Sequence, residues 1–327
     1  MNLKVKTRKQ DLHRLRLGFR GFFRCLGLAF RNRKTHYVIT TFGIGDAVMA
    51  CAYLRAYREA YGIEHITVVG KKSKGDVIKL YHKEYDDLLL LDDAAVVQLS
   101  DAFLFDAAYY LFYKWLFRMT PAVIMCYIKN FDMIFWQYSF FRRMSMYDLY
   151  KGMIYMLPES ASAVYPDISR LPDVSHVIEK TGAARGRSVL ILPAANSVCG
   201  IEEGFWNDMV IQLKAKGLAC FSNVVNEKDK PLLNTTGVSL SVTETAAFAG
   251  HCGYVLSLRS GMCDIIQYID CKMAVLFSHD DGEGRRFFYS MAKDPGAADI
   301  SEFVVPWRDY KETISDILLF FEKGDTP

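Results

Sequence analysis

The sequence predicts an α/β protein of two consecutive domains, each built on a parallel β-sheet, behind a basic N-terminal segment. A β-branched strand at 37–41 leads through a glycine-containing loop to a helix at 47–61 and a second strand at 66–69. This order is a βαβ unit, which implies parallel strands. The pattern restarts at 188–192, after a stretch punctuated by prolines. A chain of 327 residues is long enough for two such domains.

The second half repeats the alternation of strands and helices. Its predicted elements are a strand at 188–192, a helix at 205–216, a strand at 218–221, a helix at 242–249 opened by a capping box, a strand at 254–258, a helix at 263–268, a strand at 273–277 and a terminal helix after Pro306. We therefore expect two Rossmann-like domains that face each other across a cleft. The predicted segments are a leader at 1–34, an N-terminal Rossmann-like domain at 35–160, a C-terminal Rossmann-like domain at 161–305, and a helix at 306–327 that packs back on the N-terminal domain.

The net charge of +3 conceals an uneven distribution. Residues 1–34 contain eleven Lys or Arg against one acid, Asp11, so this segment is +10 and the rest of the chain is −7. A mildly acidic body argues against a nucleic-acid partner. The positive charge belongs to the leader alone.

The leader has the pattern of a basic amphipathic helix. Apolar residues recur every three or four positions, with arginines between them: Leu12, Leu15, Phe19, Phe22, Leu26 and Phe30. Such a helix lies flat on anionic lipid. A disordered basic tail and a helix packed on the protein's own surface are the alternatives, because three glycines weaken the helix. Without an apolar run of about 18 residues or a secretion signal, the expected location is cytoplasmic, peripheral on the inner face of the membrane.

The eight cysteines are scattered along the chain. They form no Cys-x-x-Cys pair and have no partner histidines at zinc-ligand spacing, so neither a zinc site nor a disulfide framework is predicted. Acidic doublets such as Asp280-Asp281 have ligand chemistry for a divalent ion, but neighbouring acids on a polar loop are usually solvated. No metal is expected.

Residues 257–264 join the end of an apolar strand to the start of a helix. Backbone N–H groups and the positive end of a helix dipole favour anions at such a junction, and Arg259 adds a charged planar fork. The turn, with Ser260, Gly261 and Asp264, is therefore a candidate diphosphate site. The alternative is an ordinary capped turn in which Arg259 makes an ion pair.

A second loop, Gly43-Ile44-Gly45-Asp46, follows the first predicted strand. It lacks the third glycine of a dinucleotide fingerprint, since position 48 is Val, and no Walker lysine follows. Its glycines permit a tight turn that delivers Asp46 to the first turn of a helix, where the dipole favours a charged carboxylate. Asp46 is the candidate general base, and a mere helix cap is the alternative.

Two more side chains belong to the predicted donor site. Asn223 follows the strand that ends near Phe221, and Glu244 opens the helix after Ser241. Glu244 is also the nearest candidate for a second acid or base, which a nucleotide-sugar hydrolase or epimerase would need. A non-catalytic scaffold recruited to the membrane by the leader is the alternative from another class.

Three patches of the sequence resemble the family 9 glycosyltransferases, which are heptosyltransferase-like enzymes with the GT-B fold. These patches are 45–50 with 54–58, 192–197 leading to Phe205-Trp206, and the turn at Ser260 and Gly261. The resemblance implies a metal-independent, inverting transfer of a sugar from a nucleotide-sugar donor, without a cofactor, to a cell-surface polysaccharide or lipid-linked glycan.

The same resemblance assigns roles to individual residues. It makes Asp46 the catalytic base, and it gives the donor diphosphate to the turn at Ser260–Gly261. Gly45, next to Asp46, is also predicted to contact the donor. Asn196 and Ser197 would contact the donor. The family usually shows Asp-Thr-Gly where this chain has Arg259-Ser260-Gly261, so the resemblance does not imply heptose as the donor sugar.

Overall fold

The computed structural model describes residues 35–40, 43–100, 123–125, 144–224, 230–291 and 299–323, together with positions 16, 20, 21, 23, 24 and 27. The chain divides into two compact units between Val164 and Tyr165, where the sequence analysis placed the boundary after residue 160. The predicted amphipathic leader lies almost entirely outside the described residues. Within the part that the structure describes, no helix is both long enough and apolar enough to cross a bilayer.

The N-terminal unit is built on a parallel sheet. Its elements are β1 Thr35–Ile39, α1 Ile44–Ala52, α2 Leu54–Tyr61, β2 His65–Lys71, α3 Gly75–Lys79, β3 Asp87–Leu91, α4 Asp93–Ser100, β4 Val123–Met125 and α5 Met146–Leu149. A π-helical turn, Tyr150–Ile154, continues α5. The strand order is β3-β2-β1-β4, and the described pairs are parallel. The βαβ prediction for this half is confirmed.

The single helix predicted at 47–61 is wrong, because the structure breaks it at Tyr53 into α1 and α2. Tyr53 is buried, and its ring packs against those of Tyr147 and Tyr155. The Tyr155 hydroxyl donates to the carbonyl of Ala50, at the end of α1, over 2.7 Å. A side chain thus satisfies a terminal carbonyl that the next helical turn would otherwise satisfy. Tertiary contacts accompany the break.

The C-terminal unit carries a larger parallel sheet. Its elements are α6 Ser175–Thr181, β5 Ser188–Leu192, α7 Glu203–Ala215, β6 Ala219–Asn223, β7 Thr236–Val238, α8 Val242–Cys252, β8 Gly253–Leu258, α9 Cys263–Ile266, β9 Lys272–Ser278, α10 Glu283–Tyr289, β10 Ile300–Val305 and α11 Lys311–Glu322. The strand order is β10-β9-β8-β5-β6-β7. Every residue of β5 is buried, as expected of a central parallel strand. The predicted strand at 188–192 matches β5 in both bounds.

The terminal helix α11 packs on β9 and β10 of its own unit. Its buried side carries Ile314, Ile317 and Phe321, and the Phe321 ring lies 5.1 Å from that of Tyr254 on β8. The predicted packing of this helix on the N-terminal domain stays a prediction. Its apolar side covers the sheet of its own unit, which removes apolar surface from water.

Both sheets have a topological switch point, where the strand order reverses and two neighbouring strands have connections that run in opposite directions. In the N-terminal unit, β2 and β3 lie on one side of β1 and β4 lies on the other. In the C-terminal unit the switch falls between β5 and β8, because β6 and β7 extend one way and β8 to β10 the other. Ligands of open α/β sheets bind beyond the carboxyl ends of the strands at such points. The loops after β1, β5 and β8 therefore lie where ligands of such sheets bind.

Candidate functional site

Asp46 lies in the first turn of α1, just beyond the carboxyl end of β1. Its Oδ2 accepts a hydrogen bond from the Gly43 N–H over 2.8 Å, and its Oδ1 accepts one from the Tyr150 hydroxyl over 2.8 Å. The side chain is half-buried. The cap that the sequence offered as an alternative is present, but a second donor, from a distant segment, also holds the carboxylate. The remaining lone pairs of a carboxylate can accept further bonds.

The glycines of this loop keep the backbone close to the carboxylate. A Cβ at Gly43 would lie 2.9 Å from Asp46 Oδ2, closer than side-chain carbons normally approach. Gly45, predicted to help bind the donor, is buried in the first turn of α1. The loop is thus shaped around Asp46.

Tyr150 was missed by the sequence analysis. It begins the π-helical turn after α5, it is fully buried, and 104 positions separate it from Asp46. In the sequence, Tyr150 is distinguished only by its place in a region rich in aromatic residues, 103–156. That region was interpreted as core helices or as an acceptor cleft. Most of that region lies outside the described residues.

The loop after β5 and the turn after β8 meet in the C-terminal unit. These strands are neighbours, with Leu192 in register with Ser257. The Ser197 hydroxyl donates to the carbonyl of Arg259 over 3.4 Å, while Asn196 beside it is exposed. The structure therefore brings together two of the three patches that carried the family resemblance.

Arg259 does not present its guanidinium to a ligand. It is 3% exposed and makes a paired contact with Asp264, with Nη2 at 2.7 Å from Oδ1 and Nη1 at 3.1 Å from Oδ2. It also donates to the carbonyls of Tyr289 and Ser260, at 2.7 and 2.5 Å. The prediction that Arg259 binds phosphate is therefore wrong, because its buried guanidinium stabilises the turn by an ion pair and hydrogen bonds.

Asp264 is corrected for the same reason. Its carboxylate is 1% exposed and faces the guanidinium rather than a donor. Burial raises the pKa of this carboxyl, and the charge and hydrogen bonds of Arg259 oppose that shift.

Ser260, Gly261 and Met262 form the half-exposed part of the turn. The Ser260 carbonyl accepts from the Cys263 N–H over 3.0 Å, and its hydroxyl accepts from the Met262 N–H over 3.3 Å. The predicted helix 263–268 is a single turn, α9. The part of this segment open to a ligand is thus Ser260 to Met262, which includes the predicted Ser260 and Gly261.

Asn223 and Glu244 lie at the carboxyl ends of β6 and β7, where both side chains make local hydrogen bonds. The Asn223 amide donates to Thr245 Oγ1 over 3.2 Å and accepts from the Leu240 N–H over 3.3 Å. Glu244 accepts from the Ser241 N–H over 2.8 Å, and the hydrogen bonds with Ser241 lower the pKa of its carboxyl. The predicted capping box is confirmed. A carboxylate held in a cap does not favour the second acid or base that a hydrolase or epimerase would need.

A groove of about 550 Å³ opens at the carboxyl ends of β9 and β10. It is lined by Glu202, His279, Pro306, Trp307 and Arg308. Beneath the neighbouring loop, buried Asp281 accepts hydrogen bonds from the N–H groups of Cys199 and Ser278. Asp281 is therefore a buried residue that stabilises two backbone segments, whereas the acidic doublet in the sequence suggested a solvated acid or a metal ligand. Among the described residues, no three His, Cys, Asp or Glu side chains are grouped as metal ligands.

Comparison with known proteins shows the fold. No protein-family model and no curated protein matches the chain. The solved heptosyltransferase WaaC of E. coli with ADP has 12% identity and a TM-score of 0.55, over 88% of this chain and 99% of that one. The E. coli ADP-heptose LPS heptosyltransferase II has 9% identity and a TM-score of 0.55, over 88% and 98%.

A family 9 glycosyl transferase from Veillonella parvula is similar as well. It has 14% identity and a TM-score of 0.51, and the match covers 87% of this chain and 90% of that one. At such low identity these likenesses establish architecture alone. The chain has the GT-B fold of these glycosyltransferases.

Proposed function

We propose that this protein is an inverting glycosyltransferase that moves a sugar from a nucleotide-sugar donor to a glycan or glycolipid acceptor, with Asp46 as the general base. The observation that carries the proposal is the position of Asp46. Its carboxylate lies at the switch point of the N-terminal sheet, and donors from Gly43 and Tyr150 hold its two oxygens. A base held in one orientation can take a proton from a bound hydroxyl at the moment of attack.

The reaction is a single displacement. The acceptor oxygen forms a bond to the anomeric carbon, the bond from that carbon to the diphosphate oxygen breaks, and Asp46 takes the hydroxyl proton. The nucleoside diphosphate leaves with the bonding electron pair. This chemistry uses only a base and a site that stabilises the departing anion, which supports the proposal that no metal is required.

The proposed donor site is the switch point of the C-terminal sheet. Ser260 and Gly261 would bind the diphosphate through backbone N–H groups, with Asn196 and Ser197 beside them. Asn223 and Glu244 line the adjacent strand end, where a nucleoside would extend. Support comes from the Ser197 contact to the Arg259 carbonyl, which holds the two segments together, and from the fold shared with an ADP-bound heptosyltransferase.

The acceptor and the location rest on the sequence. A leader of charge +10 with an apolar stripe favours attachment to the anionic inner face of a membrane, where lipid-linked glycans are assembled. We therefore propose a cytoplasmic, peripheral enzyme of surface-polysaccharide synthesis, such as lipopolysaccharide or capsule.

The function is tested in two stages. Thermal shifts with a panel of nucleoside diphosphates and nucleotide sugars identify the donor, because a ligand of the native state raises its melting temperature. Asp46→Asn should then leave the donor-induced shift intact and slow sugar transfer by about 10²- to 10⁴-fold.

Asp93→Asn is the matched control. Asp93 also lies in the first turn of a helix of the same unit, and its carboxylate accepts a hydrogen bond from the Ser73 hydroxyl over 2.9 Å. This control should transfer sugar at close to the wild-type rate. Turnover in Asp46→Asn equal to that of the control would remove the base role.

A further inference from the structure

The hydroxyl groups of Tyr150 and Tyr155 both donate hydrogen bonds to helix α1. Tyr150 donates to Asp46 and Tyr155 donates to the carbonyl of Ala50, at 2.8 and 2.7 Å. Asp46 and Ala50 are four positions apart on α1, so they lie one turn apart on one side of that helix. The segment 150–155 is therefore fastened to α1 at both of its ends.

The π-helical turn makes this double contact possible. In an α-helix, residues five positions apart point about 140° away from each other around the axis. The Tyr155 N–H instead donates to the Tyr150 carbonyl over 2.9 Å, the i→i+5 bond of a π turn, which brings these two residues closer to the same side of the helix. One extra residue in the turn thus aims both hydroxyls at α1.

Packed rings fix the position of this segment. The Tyr155 ring lies 5.2 Å from that of Tyr57 and 6.4 Å from that of Tyr53, in tilted geometry. Tyr150 is fully buried, and a buried phenolic hydroxyl needs a hydrogen-bond partner. The position of the hydroxyl next to Asp46 is consequently set by the core and not by solvent.

We propose that Tyr150 is a positioning residue, which orients the Asp46 carboxylate and favours its charged, proton-accepting form. The inference rests on the proposed function of Asp46. Gly43 holds Oδ2 from one side and Tyr150 holds Oδ1 from the other, so the pair restricts rotation of the carboxylate. A hydrogen bond donated to a carboxylate stabilises its anion.

Helix α1 lies beside helices that carry charged side chains. The helix packs against α2 and α3. The ion pairs of these two helices are Arg55 with Glu84, Arg58 with Asp86 and Lys79 with Asp76. Tyr150 is the titratable side chain that faces the carboxylate from the segment 150–155, so its removal should change the titration of Asp46 directly.

The test is a carbon-13 NMR titration of the full-length protein labelled at the aspartate carboxyl carbons. Tyr150→Phe removes one hydroxyl and keeps the ring, so the midpoint of the Asp46 titration should rise by about one pH unit. Tyr155→Phe is the matched control, because it removes an equally buried hydroxyl from the same ring cluster. Its Asp46 midpoint should equal that of the wild type.

A second measurement needs no tyrosine variant. In the wild-type protein, the ring carbon bonded to the Tyr150 hydroxyl should titrate with the midpoint of Asp46, and Asp46→Asn should abolish that step. The proposal is overturned if this carbon shows no step, if Tyr150→Phe leaves the Asp46 midpoint unchanged, or if Tyr155→Phe shifts it equally. Failure of the base role is distinct, since it shows as unchanged sugar transfer in Asp46→Asn.

Discussion

Replacement of Asp264 by Asn should destabilise the C-terminal unit far more than loss of a surface ion pair of equal length. The change keeps the volume of the side chain and removes its charge, so the buried guanidinium of Arg259 loses its counter-ion. It also turns an amide N–H toward Arg259, which can only donate. The side chains of this pair are 4% and 1% exposed, so little water can replace the lost partner.

The expected cost is about 3–5 kcal/mol, the usual penalty for removing one member of a buried ion pair. The comparison is the pair of Lys216 and Glu322 in the same unit, with Nζ at 2.6 Å from Oε1 and side chains 50% and 53% exposed. Glu322→Gln should cost about 0.2–1 kcal/mol, since water screens such a pair. Burial, and not distance, separates the two values.

Hydrogen–deuterium exchange measures both variants on the same strands, β8 and β9. Asp264→Asn should increase local opening there by about 10²- to 10⁴-fold, the equivalent of the expected cost. Glu322→Gln should leave these strands within a few-fold of the wild type. The reasoning is refuted if the two variants exchange alike, because the guanidinium would then not depend on Asp264.

Four further outcomes are expected. Gly253→Ala should cost about 2 kcal/mol or more by urea denaturation, because φ is +86° and a Cβ would lie 2.8 Å from a backbone atom, whereas Gly182→Ala, at φ +66° in open space, should cost about 1 kcal/mol. Ser241→Ala should cost about 1 kcal/mol by the same measurement. The pKa of the Glu244 carboxyl is lowered in the folded state, so its charged form contributes to stability above the pKa of the unfolded state. This stability is lost as the pH falls through the pKa of the folded state. The urea midpoints of Glu244→Gln and the wild type should therefore converge in acid. Deletion of residues 1–34 should release the protein from anionic liposomes at low salt, and sedimentation of the truncated protein with vesicles would contradict the proposed membrane attachment.

Local patterns predicted much of the fold. The capping box at Ser241 and Glu244, the buried strand β5, the βαβ unit that opens the N-terminal half and the alternation of the central strands with helices in the C-terminal half were readable, since each depends on neighbouring residues or on a short hydrophobic period. The glycine loop also placed Asp46 correctly in the first turn of a helix. Strands β3, β4, β7 and β10 were missed, because a short strand at the edge of a sheet has little periodic signal.

The site was less readable than the fold. Arg259 and Asp264 have the composition of an anion site, and the sequence left open whether the arginine faces a phosphate or an ion-pair partner. Tyr150 had no motif at all. Each outcome is decided by which groups the folded chain buries together.

By itself, the sequence determined the α/β alternation, the two sheets and the delivery of a carboxylate to the start of α1. Only the tertiary structure decided that the guanidinium of Arg259 turns inward and that Tyr150 reaches Asp46 across 104 positions. The physical reason is the separation along the chain of the residues that interact. Helix caps, turns and amphipathic periods arise between residues close in the chain, whereas the partner of a buried polar group depends on packing between distant segments, where any unpaired donor or charge is costly.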